Sequence, residues 1–259
     1  MGKYPTAARV LSVLLLVPLV LVIVPGANSS HASQIPCTDT FLGATACPDL
    51  IVEPAKLNVQ LRQTQTFGTN SCDVQHGHTQ PGTRQLIRFY FSTPNIGTGD
   101  LIVGAPRDRP DWFVWDPCHG HYHMREYADY RMWTPEGYAQ WAAVRAANPD
   151  ALSADLLAAN PHLLDKFVAS NKMGFCVIDI FPYVPTGPPQ YGSCSNNQGI
   201  TVGWADEYVP GLPGQWIDVT GVAPGLYILE AEVNSERLYV ESDYTNNASI
   251  APMVVLPPV

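Results

Sequence analysis

The run Cys118-His119-Gly120-His121-Tyr122-His123 places three of the chain's seven histidines within five residues. Neutral imidazole is the usual nitrogen ligand for copper, zinc, iron and nickel. In an extended strand the side chains at i, i+2 and i+4 share one face, whereas a helix would turn the middle one away. A flat strand would still hold the outer two about 13 Å apart. The segment is therefore expected to bend, and Gly120 permits it. The competing reading is a solvated cluster of unrelated histidines; their density favours a metal.

Two further residues have chemistry that depends on their surroundings. Lys172 is one of four lysines, set in Asn171-Lys172-Met173-Gly174-Phe175-Cys176. Apolar neighbours and a nearby cystine would make a partly buried, nucleophilic amine, although a lone lysine more often lies along the surface. Tyr208, in Trp204-Ala205-Asp206-Glu207-Tyr208-Val209-Pro210, is one of twelve tyrosines and by itself reads as packing. Asp179, Asp206, Asp218 and Asp243 are unranked candidates for a base.

The elements that must position these residues begin after an N-terminal segment of another kind. Lys3 and Arg9 precede an apolar run from Val10 to Val24, followed by small residues ending at Ser30-His31-Ala32. This is the pattern of a secretory signal peptide, expected over 1–32. The apolar run, interrupted by Pro18, is short for a membrane span, so no stable span is expected after cleavage. Removing that segment leaves 12 basic against 23 acidic residues, a net charge of −11. Such a balance argues against nucleic acid or anionic lipid as a partner. All six cysteines (Cys37, Cys47, Cys72, Cys118, Cys176 and Cys194) follow it, and an even number in an oxidising compartment favours disulfides. Spacing suggests local loops for Cys37–Cys47 and Cys176–Cys194, which leaves Cys72 for Cys118, but cannot choose among the alternatives.

Twenty-four prolines and twenty glycines imply short elements and long loops. Strands are expected over Gln85–Ser92, Trp112–Trp115, Gly225–Val233, Leu238–Val240 and Ala248–Val255. In Gly225–Val233 the residues Tyr227, Leu229, Ala231 and Val233 face one way, and Glu230 and Glu232 the other. The pattern predicts a mainly β fold, an antiparallel β-sandwich with long loops. Alanine and leucine dominate from Tyr138 to Ser170. A short helical insertion is expected over about 138–170, with Ser153 capping a helix from Ala154 and Pro161 opening another.

With these motifs in hand, the chain resembles the lysyl oxidases. Arg88-Phe89, Asn95-Ile96-Gly97 and the histidine motif are similar to the family's copper-binding half. Lys172-Met173-Gly174-Phe175-Cys176, Gln198-Gly199-Ile200-Thr201-Val202-Gly203, Gln215-Trp216-Ile217-Asp218-Val219-Thr220, Pro224-Gly225-Leu226-Tyr227 and Glu241-Ser242-Asp243-Tyr244-Thr245-Asn246-Asn247 are similar to its cofactor-bearing half. The resemblance covers roughly Asn58 to Ile250. It implies copper held by His119, His121 and His123, and a lysine tyrosylquinone cofactor formed from Lys172 and Tyr208. It also implies the family pairings Cys72–Cys118 and Cys176–Cys194; Cys37–Cys47 rests on parity and spacing. The quinone would condense with a primary amine, and dioxygen would reoxidise it, giving aldehyde, ammonia and hydrogen peroxide. Animal members have a cysteine where Gly214 stands and a shorter stretch between His123 and Lys172. Docking to collagen or elastin is not carried over.

The expectation is a secreted copper amine oxidase acting on primary amines, peptidyl lysine foremost, in a domain over 58–259 with an N-terminal extension over 33–57. The alternatives are a non-catalytic extracytoplasmic copper-binding β-sandwich and, behind it, a zinc hydrolase with an open three-histidine site.

Overall fold

The computed structural model describes residues 37–39, 45–168, 172–174 and 176–256. The proposed signal segment lies outside them. The described residues form a mainly β fold of antiparallel sheets.

One layer is built on the strands Gln60–Phe67 and Gly82–Phe89, with Trp216–Asp218 on the far side of the second. The expected run Gln85–Ser92 is two strands, because the chain breaks its ladder at Tyr90 and resumes as Phe91–Pro94. That second strand pairs with Trp204–Tyr208, which in turn pairs with Phe181–Pro182. The opposing sheet runs in the order Phe167–Val168, Ala128–Trp133, Gly225–Val233, Ala248–Leu256, and Lys172–Met173 also pairs with Ala128–Trp133.

Side-chain alternation fills the space between the layers. Tyr227, Leu229, Ala231 and Val233 enter the main core beside Ile87, Phe89, Phe91 and Tyr208. Phe89 and Phe91 meet Tyr130 across the interface at ring distances of 4.8 and 5.1 Å. Leu50, Val52 and Leu57 belong to the same core.

Glu230 and Glu232 point out of that core and yet are buried. The helices Pro135–Ala147 and Ser153–Ala159, and a 3-10 helix Pro161–Lys166, provide the cover. Thr134 caps the first, accepting from Gly137 N at 3.1 Å, and Pro135 takes the first turn. Trp133 and Trp141 stack at 5.6 Å, and both indole N–H groups donate to Glu230. Buried carboxylates need such donors, which corrects the expectation for Ser153. It is the first helical residue rather than the cap, and its hydroxyl donates to Glu232 at 2.8 Å. Leu238–Val240 also departs from expectation. It makes no strand beyond a single bridge at Tyr239, whose carbonyl also accepts from Asn234 Nδ2.

Candidate metal centre and its tyrosine

The histidine motif occupies a β-hairpin. Strands Phe113–Asp116 and His121–Met124 pair Asp116 with His121, and Gly120 N closes the turn on Asp116 O at 2.8 Å. Gly120 has φ of 72° with open space where a Cβ would stand, so the backbone angle rather than crowding requires glycine. His119 therefore sits in the turn, while His121 and His123 share a face of the returning strand. The bend removes the spread that a flat strand would impose.

His119 Nδ1 lies 3.3 Å from His123 Nε2, which lies 3.1 Å from His121 Nε2. Metal–imidazole bonds of about 2.0–2.1 Å set tetrahedral donors about 3.3 Å apart, so His119 Nδ1 and His121 Nε2 each lie at ligand spacing from His123 Nε2. Burial pushes His123 down to about 4, which keeps its lone pair available at neutral pH.

Two groups that sequence reasoning missed stand beside them. Asp116 Oδ1 accepts the backbone N–H groups of Cys118 and His119 at 2.8 and 3.2 Å. Burial opposes its ionisation, but those two bonds together with the neighbouring His119 and His76 outweigh it and hold the carboxyl below its ordinary range. His76 Nε2 lies 3.3 Å from the same oxygen. The signal was faint: His76-Gly77-His78 follows Cys72 closely, and a Cys72–Cys118 bridge brings that segment to the motif. The structure contains that bridge, together with Cys176–Cys194 and Cys37–Cys47.

His119 and His121 line a cavity of about 670 Å³ that Asp206 and Tyr208 also line, with Ile178, Ile180, Val209 and Leu212 among its apolar walls. Tyr208 packs between Phe91 and Tyr127, both at 5.9 Å. Its hydroxyl donates to Asp206 Oδ2 at 2.6 Å and approaches Cys176 O at 3.3 Å. Burial, followed by the charge of Asp206, pushes the phenol well up; burial likewise pushes Asp206 up against the hydrogen bond from Tyr208. The other three candidate bases are engaged elsewhere. Asp218 accepts from Arg84 and Thr79, Asp179 from Thr201, Gln190 and Tyr191, and Asp243 from Thr245.

The side chain of Lys172 lies outside the described residues. Its backbone pairs with Asp129. A Cβ at Gly174 would collide with Met124 O, so only glycine lets this segment lie against the end of the histidine strand. Lys172 and Cys176 are four residues apart, at most about 14 Å along the backbone, and Cys176 O touches the Tyr208 hydroxyl.

The remaining motif residues hold the frame. Arg88 Nη1 donates to Pro210 O at 2.7 Å and Leu212 O at 3.2 Å, pinning one cavity wall. Gln198 links Val177 N to Cys194 O, and Gln215 joins Tyr130 to Phe89 O. Asn95 gathers Asp49 N, Gly97 N, Gly99 O and Ile200 O.

A family model described as Lysyl oxidase matches residues 61–146 and 153–255, and its interruption falls between the two helices. Lysyl oxidase homolog 4 of Homo sapiens is 33% identical over 224 residues, which cover 80% of this chain and 25% of that protein. Protein-lysine 6-oxidase of Gallus gallus is 34% identical over 168 residues, covering 63% of this chain and 32% of that protein. Lysyl oxidase homolog 2A of Danio rerio is 28% identical over 239 residues, covering 86% and 27%. The matches thus span 25–32% of the length of these relatives.

Proposed function

This chain belongs to the lysyl oxidase family, and on that premise we propose that it is a secreted, copper- and quinone-dependent amine oxidase. Its substrates are primary amines, peptidyl lysine foremost, converted to aldehydes with release of ammonia and hydrogen peroxide. The observation that carries this reading is one cavity shared by His119, His121 and the buried Tyr208–Asp206 pair. A carrier of copper needs the histidines but has no use for a phenol held against a carboxylate.

When bound, copper and the quinone formed from Tyr208 and Lys172 supply the two-electron oxidation of the amine at the expense of dioxygen. The chain's own residues do the rest. His119, His121 and His123 hold the ion through nitrogens already at ligand spacing. Asp206 Oδ2 takes the proton that Tyr208 Oη must lose when the phenol is oxidised. Ile178, Ile180, Val209 and Leu212 give the cavity apolar walls that accommodate an aliphatic stem. Export agrees with three disulfides. Among the described residues no helix is long and apolar enough to cross a membrane.

The test is a peptide map of copper-loaded, aerated protein. A cross-link between Lys172 and Tyr208, with peroxide released from added amines, supports the oxidase. Bound copper with neither cross-link nor peroxide leaves the copper-binding alternative, and purified zinc with oxygen-independent turnover leaves the hydrolase.

A further inference from the structure

We propose that His76 Nε2 and Asp116 Oδ2 are metal ligands in addition to the three histidines of the motif, closing one side of the ion and leaving its open position toward Tyr208. This rests on the proposed metal site at the hairpin and names donors that the motif does not contain.

Spacing is the first support. Donor atoms of His76, Asp116 and His119 all lie within 4.8 Å of one another. Two opposed metal bonds of about 2.0–2.2 Å span nearly that distance. His123 Nε2 lies 3.3 Å from His119 Nδ1 and 3.1 Å from His121 Nε2.

A buried orphan atom is the second. Asp116 is 5% exposed, and its Oδ2 accepts no hydrogen bond among the described residues. It nevertheless lies 2.8 Å from His119 Nδ1 and 3.5 Å from His123 Nε2. Leaving a buried carboxylate oxygen without a donor is costly, and a cation placed among those nitrogens supplies the missing partner.

The third is direction. A separate cavity of about 360 Å³ is lined by His76, Asp116 and His123, whereas His119 and His121 line the one that contains Tyr208. His76 and Asp116 therefore approach from the side away from the phenol. Covalent structure holds His76 there. It follows the one-turn helix Cys72–Gln75, its amide closes on Cys72 O at 2.8 Å, and Cys72 is bonded to Cys118 in the hairpin turn. A carboxylate among imidazoles also favours the divalent ion, since Cu(I) prefers soft sulfur ligands.

The experiment titrates the full chain, metal-free and with its disulfides intact, with Cu(II) against a competing chelator, and counts imidazole nitrogens by pulsed electron paramagnetic resonance. The expected result for His76→Ala is one imidazole fewer and a dissociation constant raised at least tenfold. His76→Gln carries the same test with a longer side chain if the alanine variant folds poorly. Asp116→Asn keeps Oδ1 for the hairpin turn and is expected to weaken binding at least tenfold with the nitrogen count unchanged. His78→Ala, in the same loop, is expected to change neither quantity. A wild-type nitrogen count and affinity in both His76 variants overturns the inference while leaving the three-histidine site intact. A wild-type chain that takes up no Cu(II) overturns the underlying reading.

Discussion

The Tyr208 hydroxyl donates to Asp206 Oδ2 at 2.6 Å, and the two residues, two apart on one strand, face the same buried side. A phenol cannot be oxidised to a quinone without losing its proton, and this carboxylate is the acceptor in contact with it. Asp206→Asn is expected to bind copper normally and to form quinone roughly a hundredfold more slowly. Quinone absorbance followed after copper addition in air measures this; wild-type kinetics would remove Asp206 from the mechanism.

Lys172→Ala is expected to retain the full copper content and to yield no phenylhydrazine-reactive quinone and no peroxide. The ligands proposed at the hairpin are imidazoles, so the metal and the cofactor separate in this variant. Residual turnover with amines would show that another residue supplies the cross-link.

Arg88 fixes the Val209–Pro213 wall through two carbonyls that a single ammonium cannot span in the same planar geometry. Arg88→Lys is expected to lower kcat/KM by roughly ten- to a hundredfold through a misplaced cavity wall. Copper content should stay unchanged. Steady-state kinetics beside metal analysis decide it, and unchanged kcat/KM would assign Arg88 to folding alone.

Arg131 lies between Asp129, Glu230 and Glu232, far in character from the metal hairpin. Arg131→Met leaves buried carboxylates facing one another, with Arg145 as the remaining cation beside Glu230 and Glu232 among the described residues. The expected loss is about 3–5 kcal/mol of stability in urea titrations, with copper affinity unaffected. A loss below about 1 kcal/mol would mean that the cluster is hydrated.

Glu241 gives a pH dependence. Burial pushes it up to about 8 against the pull of N–H donors from Leu50, Asn234 and Asn247. The folded state then keeps a proton that the unfolded chain releases above about 4.5. Stability should fall as pH rises through the window from about 4.5 to 8, by at most about 1.4 kcal/mol per pH unit. Glu241→Gln should flatten that part of the profile. An unchanged slope in thermal or urea unfolding across these pH values would contradict it.

Much of the fold was legible because it rests on local rules. The alternation in Gly225–Val233 marks its core face, and the strand spans the same residues in the structure. Gly120 marked a bend because glycine readily takes a positive φ. The histidine cluster pointed to a metal because three imidazoles close in sequence remain close in space. Ser153 and Leu238–Val240 went astray for a common reason. Side-chain hydrogen bonds override the local pattern in both: the Ser153 hydroxyl goes to Glu232, and Tyr239 O accepts from the Asn234 side chain.

By itself the sequence determined the β layers, the hairpin-borne nitrogens and the chemistry available to a lysine and a tyrosine. Only the tertiary structure decided that His76 stands beside Asp116, that Asp206 rather than Asp179, Asp218 or Asp243 meets the phenol, and that Glu230 is covered. Periodicity and spacing act over a few residues. Burial of polar atoms instead depends on segments brought together across tens of residues, by the Cys72–Cys118 bridge and by the helices that close over the sheet.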